Sequence, residues 1–310
     1  MRAAFVRSLC ELAAADPRVV LLTADLGWSA IEPFAKAYPD RFLNIGVAEQ
    51  NMLGVATGLA LEGKVPFAYS IATFSSMRCY EQFRDGPVLH NLPVRLVGIG
   101  GGFSYGHAGP THHAIEDLTI ARTQPGVTVL APADPAQTRS VILGTRDISG
   151  PVYLRVDKTQ YPAITTLGGR FALDTPELIR PGRDVLFLAV GSIAHEVLKA
   201  AEIVRWRGVA AAVATLAHLG FAAGAPLLDL LRRFRTVHTV EEGSVAGGLG
   251  SLVAEAVAHH GLRCRVHSHG VRTKFGRHTG STDYMRRLHG IDAASLASAA
   301  EAVVVRRAAA

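Results

Sequence analysis

Three separated segments of this sequence combine residue types that can bind a ligand or move a proton. The first, Asn44–Met52, holds Glu49 shortly after a glycine, where a helix is predicted to begin. An acid in a first helical turn ordinarily complements the helix dipole. A carboxyl group in an apolar setting has a raised pKa and can share a proton with a ligand nitrogen. Because Val47, Met52 and Leu53 are apolar, both interpretations stay open for Glu49.

The second segment, Tyr69–Gln82, carries Phe74, Met77 and Tyr80 at every third residue. On a helix this spacing places three side chains along one face. Such a stripe is typical of core positions. However, the segment follows a predicted strand, and ligands bind at the carboxyl edge of parallel sheets. The stripe therefore predicts either core packing or a platform for a planar ring.

The third segment, Gly98–His113, is rich in glycine and contains His107, His112 and His113. Its glycine spacing resembles a dinucleotide fingerprint, but a proline and two histidines stand where the helix should open, so we expect no nicotinamide site. Glycines let the backbone and the imidazoles approach a substrate closely. The histidines have no acidic or cysteine partners at fixed spacing, which disfavours a metal site.

The elements that must position these segments are short apolar strands alternating with helical patterns. This alternation predicts an α/β protein of two domains, each a mostly parallel sheet flanked by helices. Residues 166–183 are richer in glycine, proline and threonine and predict a linker between domains at 1–165 and 184–310. The predicted strands are Val19–Thr23, Phe42–Ile45, Val65–Tyr69, Val94–Ile99, Val127–Leu130, Val152–Val156, Asp184–Ala189, Ala211–Thr215, Thr236–Glu241 and Cys264–Ser268.

The composition excludes several classes of protein. The chain has 310 residues and no run of about 18 apolar residues, so we expect a soluble protein with no membrane partner. Its three cysteines have no metal-type spacing and fit a reducing cytoplasm. The formal charge of +6 is dispersed, which disfavours nucleic acid but suits an anionic small substrate.

The order of the motifs is more specific than any one of them. In chain order they are GVAEQ (Gly46–Gln50), the stripe, GPTHH (Gly109–His113), Pro151–Arg155 and the glycine-rich Val240–Gly250. From Val20–Leu26 to Phe275–Gly276, this order resembles the C-terminal half of transketolases, including those made as two chains. Deoxyxylulose-phosphate synthase and the β subunits of 2-oxoacid dehydrogenases are kin. The resemblance implies a pyrimidine-binding domain followed by a transketolase C-terminal domain.

The resemblance also implies roles for residues that would bind thiamine diphosphate. Glu49 matches the carboxyl group that hydrogen-bonds the pyrimidine ring nitrogen and drives the amino group into its imino form. Phe74, Met77 and Tyr80 match the side chains that hold the aminopyrimidine, although many transketolases have an aromatic residue where Met77 stands. Asp25 corresponds to a position near the thiazolium.

Other matches concern the substrate. His112 matches the histidine that hydrogen-bonds the donor's oxygens, and Ser29 corresponds to a position near the substrate phosphate. Arg155 matches an arginine that grips a sugar phosphate; a solvated strand end is the alternative. Ala108 stands where the family usually has an aspartate that bonds the acceptor's 2-hydroxyl, and Gly100 where it has a phosphate-binding histidine. We therefore expect altered acceptor preference.

In the resembled family, Mg²⁺ and the cofactor's diphosphate are bound by a GDG motif followed by an asparagine, and this sequence lacks that pattern. We expect a partner chain to supply it in an α2β2 assembly. The predicted activity is two-carbon ketol transfer between sugars or sugar phosphates. The alternatives are a 2-oxoacid-decarboxylating enzyme of the same cofactor class and a silent scaffold, which would not need Glu49, Phe74 and His112 together. The Val240–Gly250 motif is expected to be structural.

Overall fold

The computed structural model of this chain describes residues 1–272 and 278–308. Within those ranges, the chain forms two α/β units built on separate sheets, as the sequence predicts. Phe275 and Gly276, where the family resemblance ends, lie outside the described residues. None of the described helices is both long and apolar enough to span a membrane.

The first unit is a six-stranded sheet in the order β2-β1-β3-β4-β6-β5, and every neighbouring pair is parallel. Its strands β1, β4 and β6 are buried along their whole length, because helices cover both faces of the sheet. The strands are β1 (Val19–Thr23), β2 (Phe42–Asn44), β3 (Val65–Ile71), β4 (Arg95–Ile99), β5 (Thr128–Leu130) and β6 (Val152–Val156). The α-helices are α1 (Arg2–Ala15), α2 (Glu32–Ala37), α3 (Glu49–Leu61), α4 (Tyr80–Phe83), α5 (Asp117–Arg122) and α6 (Pro135–Gly144).

The second unit is a five-stranded sheet in the order β11-β10-β8-β9-β7. Its strands are β7 (Glu177–Arg180), β8 (Val185–Val190), β9 (Ala211–Thr215), β10 (Thr236–Ser244) and β11 (Arg265–Val271). The helices are α7 (Ala194–Arg205), α8 (Ala225–Arg232), α9 (Leu249–His259), α10 (Thr282–Leu288) and α11 (Ala293–Ala308). All pairs are parallel except β7 with β9, which is antiparallel.

Strand β7 lies within residues 166–183, which the sequence predicts to be a linker. Its four residues pair with β9 at the edge of the second sheet. So short a run carries no clear alternation of apolar and polar residues, and only the neighbouring strand stabilises its extended conformation. The second sheet therefore begins earlier in the chain than the composition indicates.

Buried polar contacts join the two units. The guanidinium group of Arg122, in α5, donates to the carbonyl oxygens of Gly220, Phe221 and Gly247 in the second unit. The backbone N–H of Ala131 donates to the carbonyl oxygen of Ala217 over 2.7 Å. Because a buried donor must find a partner, these contacts favour one relative placement of the two sheets.

Candidate functional site

The carboxyl edge of the first sheet gathers the segments that the sequence singled out. Strands β2, β1, β3 and β4 are neighbours and parallel, so their carboxyl ends meet at one edge. Asp25 follows β1, Gly46–Glu49 follows β2, Phe74 follows β3 and Gly100 follows β4. This is the edge at which parallel α/β sheets usually bind ligands.

Glu49 begins α3 at this edge, and only 1% of its surface is exposed. The hydroxyl of Ser70, in β3, donates to Glu49 Oε1 over 2.9 Å. Nη1 of Arg78 donates to Glu49 Oε2 over 2.7 Å. Burial disfavours a carboxylate unless it is paired, and both oxygens here have a partner. Glu49 is thus a buried, hydrogen-bonded carboxyl group and not simply a solvated acid near a helix dipole.

Arg78 connects this carboxyl group to Phe74, which in turn contacts His112. The guanidinium carbon of Arg78 is 4.1 Å from the centroid of the Phe74 ring, and the rings of Phe74 and His112 meet edge to face at 5.1 Å. Burial lowers the pKa of His112, and the nearby His113 and Arg78 lower it further. His112 is therefore neutral at pH 7 and can donate one hydrogen bond and accept another.

Met77 and Tyr80 take different positions from Phe74. Phe74–Arg78 is a π-helix capped at its C-terminal end by Cys79, before α4 begins at Tyr80, so a spacing of three does not keep these side chains on one α-helical face. Met77 is 40% exposed. Tyr80 is partly buried, and its hydroxyl donates to the carbonyl oxygen of Ile120 over 3.2 Å. The three residues of the stripe therefore do not share one surface. Phe74 contacts Arg78 in the Glu49 site, Met77 is exposed, and Tyr80 is hydrogen-bonded to α5.

Close packing explains why two residues of the glycine-rich segment after β4, Gly100 and Gly101, are glycines. Gly100 has a φ of +78°, and a Cβ there would lie 2.1 Å from Cε2 of Tyr105. The ring of Tyr105 therefore fills the space next to Gly100 where a larger side chain would lie. A Cβ on Gly101 would lie 2.1 Å from Nε of Arg155. Glycine at these positions lets an aromatic ring and a guanidinium group approach the backbone.

The three histidines of this segment do not converge. Nε2 of His113 lies 3.1 Å from the carbonyl oxygen of Gly106, and its ring packs on Phe103. Nδ1 of His112 lies 2.9 Å from the hydroxyl of Thr111. His107 is exposed. Only His112 therefore belongs to the group around Glu49.

Asp25 and Ser29 both have backbone conformations that are rare for residues other than glycine. Their φ angles are +53° and +65°. The amide of Asn44 donates to the carboxylate of Asp25 over 2.8 Å, while its oxygen accepts from the N–H groups of Asp25 and Gly46. The N–H of Ser29 donates to Glu32 over 2.6 Å. Strained residues supported in this way cluster at functional sites.

Arg155, the predicted phosphate contact, lies inside the structure and not at a solvated strand end. It is buried, and its Nε and Nη2 donate to the two carboxylate oxygens of Asp117 over 3.0 and 2.9 Å. Nη2 also donates to the carbonyl oxygens of Ala114 and Glu242. A forked donor already paired bidentately with a carboxylate has little left for a phosphate. The burial of Arg155 excludes a solvated strand end, whereas its contact with a sugar phosphate stays a prediction.

Three residues of the site had no assigned role in the sequence: Ser70, Arg78 and Asn44. Asn44 and Ser70 lie at or near the carboxyl ends of β2 and β3, the two strands on either side of β1, a position that could have indicated them. Arg78 follows the aromatic stripe, but no spacing rule directs an arginine toward a carboxylate 29 residues earlier. Contacts across such a distance in sequence come only from the fold.

Comparison with known protein families assigns both units. Residues 1–163 match the family described as "Transketolase, pyrimidine binding domain", and residues 175–296 match "Transketolase, C-terminal domain". The two matches follow the two sheets in chain order. The described Glu49 site lies entirely within the first match.

Curated relatives and a solved structure extend this comparison. The chain is 36% identical to a 6-deoxy-6-sulfo-D-fructose transketolase subunit of Clostridium sp. (strain MSTE9), covering 99% of this chain and 95% of that one. It is 34% identical to an apulose-4-phosphate transketolase subunit of Actinobacillus succinogenes, covering 86% of each chain. It is also 37% identical to 1-deoxy-D-xylulose-5-phosphate synthase of Aquifex aeolicus, covering 95% of this chain but 47% of the enzyme. A solved structure titled "Split gene transketolase, inactive beta4 tetramer" superposes with a TM-score of 0.87 at 35% identity over 98% of both chains.

Proposed function

The chain belongs to the transketolase family, and we propose that it is the cofactor-activating subunit of a two-chain, thiamine-diphosphate-dependent transketolase. The observation that carries this proposal is the buried carboxyl group of Glu49 beside the ring of Phe74 and the neutral imidazole of His112. A catalytically silent scaffold needs no such group. The reaction is transfer of a two-carbon ketol unit from a ketose donor to an aldose acceptor.

The residues around Glu49 fit the aminopyrimidine ring of thiamine diphosphate. The carboxyl group is buried, as a group that shares a proton with a ring nitrogen must be. The ring of Phe74 already has a planar cationic group against its face, so it accepts a flat partner. Thiamine diphosphate, when bound, supplies the nucleophilic carbon that accepts the two-carbon unit.

We assign the following roles to residues of this chain. Glu49 holds a proton at the ring nitrogen, and Phe74 covers one face of the ring. Met77 and Tyr80 are assigned to the same cofactor from the family resemblance alone, because the structure separates them from Phe74. His112, neutral at pH 7, donates a hydrogen bond to the oxygens of the donor sugar.

Asp25 is assigned to a position near the thiazolium, and Ser29 and Ala108 are assigned to the substrate side of the same edge. Asp25 and Ser29 follow β1 and have strained backbones, and Ala108 is exposed directly before the GPTHH segment. Ala108 has no side-chain hydrogen-bonding group, so the acceptor's 2-hydroxyl goes unrecognised at that position. This supports acceptors that differ from the ordinary 2-hydroxy sugar phosphates.

A partner chain completes the active site in this proposal. The GDG pattern that would bind Mg²⁺ and the diphosphate is absent from the sequence, and we assign it to an N-terminal transketolase subunit in an α2β2 assembly. Trp28, Val47 and Met77 follow the neighbouring strands β1, β2 and β3 and are exposed. Exposed apolar side chains beside a site are typical of a protein interface. The three unpaired cysteines support a cytoplasmic location.

The proposal is tested by adding the partner. The purified chain is assayed alone and with the product of a neighbouring gene that encodes a GDG motif, with thiamine diphosphate, Mg²⁺ and a ketose phosphate donor. We expect ketol transfer only in the mixture, because the diphosphate ligands lie on the other chain. Turnover by this chain alone would contradict the two-chain assignment.

A second candidate is decarboxylation of a 2-oxoacid with transfer to an aldehyde, favoured by the similarity to deoxyxylulose-phosphate synthase. The chain spans about half of that enzyme. Offering the mixture pyruvate or a ketose phosphate as the donor separates the two candidates. A product formed from pyruvate with release of carbon dioxide would replace the ketol-transfer assignment.

A further inference from the structure

Arg78 lies at the centre of the ring site although no role follows for it from the family motifs. Its Nη1 is 2.7 Å from Oε2 of Glu49, and its guanidinium carbon is 4.1 Å from the centroid of the Phe74 ring. Its side chain is 42% exposed, whereas that of Glu49 is 1% exposed. The guanidinium group therefore reaches from the surface to a buried carboxyl group across an aromatic face.

These two contacts are the ones that an aminopyrimidine needs in the proposed site. The ring must lie against Phe74 and place a nitrogen within hydrogen-bonding distance of Glu49. A guanidinium group is planar, carries N–H donors and stacks on aromatic rings, so it satisfies both contacts itself. The ring and the guanidinium group cannot occupy the same volume against Phe74 and Glu49.

We propose that Arg78 determines which rings enter this site, because an incoming ring must displace its guanidinium group from Phe74 and Glu49. The proposal rests on the proposed function, since it takes the Glu49 site as the ring site. A ring that offers Glu49 a donor or shares its proton replaces the lost bond. A ring that cannot do so leaves Oε2 of the buried carboxylate without its ion-pair partner, which is unfavourable, while Ser70 still donates to Oε1. Arg78 therefore excludes rings without such a nitrogen.

Displacement of Arg78 is feasible because one side of its side chain faces solvent. Arg78 makes one side-chain hydrogen bond, to Glu49, and one cation–π contact, to Phe74, within the described part of the chain. An exposed guanidinium group regains hydration when it leaves, so the cost of moving it is modest. The buried partner, Glu49, has no such freedom.

The test uses the full chain and a probe that lacks the diphosphate and therefore does not need the partner. The probe is 4-amino-5-hydroxymethyl-2-methylpyrimidine, and its dissociation constant is measured by calorimetry or ligand-observed NMR. We expect Arg78→Ala to bind it about tenfold more tightly than the wild type, because the competing cation–π and ion-pair contacts are gone. Arg78→Gln, which removes the charge but keeps a donor, should give an intermediate gain.

Arg84→Ala is the matched control. Arg84 lies six residues further along the same segment, pairs with Asp85 and is exposed, so its removal changes the net charge equally without touching the site. We expect its dissociation constant to equal that of the wild type. Circular dichroism checks that each variant is folded. If Arg78→Ala does not fold, the comparison with the wild type is made with Arg78→Gln. Equal, weaker or undetectable binding of the probe by folded Arg78 variants would overturn the proposal.

Failure of the proposed function has a different signature. In the assembled two-chain complex, Glu49→Gln should weaken activation of the cofactor whatever Arg78 does. If Glu49→Gln left ketol transfer unchanged, the assignment of the ring site itself would fall. If Glu49→Gln abolished transfer while Arg78→Ala left probe binding unchanged, only the role of Arg78 would fall.

Discussion

Two buried glutamates of this chain, Glu49 and Glu241, both lie where a parallel strand leads toward a helix, and their partners differ. Glu49 accepts hydrogen bonds from the side chains of Ser70 and Arg78. Glu241 accepts from the backbone N–H groups of Leu249 and Gly250 at the beginning of α9, over 3.0 and 2.9 Å. Burial raises the pKa of Glu241 to about 6, against the opposing effect of those N–H groups.

The two glutamates differ in whether a ligand can replace their hydrogen-bond donors. Backbone donors at a helix beginning are covalently fixed and have no other partner, so Glu241 completes the helix. A side-chain donor that reaches in from solvent can leave, and a ligand can take its place. The same residue type at a similar place in two sheets therefore serves stability in one domain and can bind a ligand in the other.

The residues around the two glutamates differ in the same way. At the second sheet's edge, the carboxylate of Glu242 accepts from the N–H of Phe103 and from Arg286, and Ser192 donates to Asp157 of the first domain. That edge is closed by contacts between the domains. At the carboxyl edge of the first sheet, Asp25 and Ser29 have strained backbones, and apolar side chains are exposed. Both features are typical of a binding surface.

The largest expected effect tests the two glutamates directly. Glu49→Gln should lower turnover of the assembled complex by about 10²-fold or more, because an amide cannot act as the acid–base group. The chain should stay folded, because glutamine still offers an acceptor to Ser70. Steady-state rates and thermal unfolding together check this result.

Glu241→Gln is the matched control, with the opposite expected outcome. Its amide group would face backbone N–H donors that need acceptors, so the free energy of unfolding should fall by about 1–3 kcal/mol. Turnover at a temperature where the protein is folded should not change. Near-normal turnover of Glu49→Gln, or a 10²-fold loss in Glu241→Gln, would remove the distinction between the two sites.

A smaller effect is expected at Ala108, on the open edge. Ala108→Asp should raise kcat/KM for a 2-hydroxy aldehyde acceptor over its 2-deoxy analogue by about tenfold or more, because a carboxylate can bond the hydroxyl. Kinetics with the paired acceptors, for both proteins, measure the ratio. If the wild type already discriminates as strongly as the variant, the alanine has no role in acceptor selection.

The last expected effect concerns the pH dependence of stability in the second domain. His238 of β10 is fully buried, and burial lowers its pKa to about 3, assisted by His269 and His267. Burial likewise lowers the pKa of His269 to about 4. A histidine whose pKa is lowered by folding binds its proton first in the unfolded state. Stability is therefore full above about pH 6.5 and falls as the pH drops from there toward the folded-state pKa values.

At pH 5, one such histidine should cost about 2 kcal/mol of unfolding free energy relative to pH 7.5. Urea unfolding at the two pH values measures this loss. His238→Phe removes the titrating group and keeps an apolar ring next to Phe187, so its loss should be smaller than that of the wild type. An equal loss in the variant would assign the acid sensitivity to other groups.

The positions of most strands could be predicted from the sequence, because buried parallel strands are apolar and β-branched along their whole length. All ten predicted strands have counterparts in the structure, with ends that differ by a few residues at most. The family was equally accessible, because its motifs are local and their order does not depend on packing. Strand β7 could not be predicted from the sequence, because its pairing with β9 decides its conformation.

The sequence by itself therefore determined the fold class, the family and the chemical types of the site residues. Only the tertiary structure decided which side chains meet: it turned Arg155 inward to Asp117, placed Tyr80 against Ile120 and brought Arg78 to Glu49. Long flexible side chains can pair with any oppositely charged group within reach. Local sequence patterns determine the backbone that carries such a side chain, whereas its partner is determined by the packing of distant segments against one another.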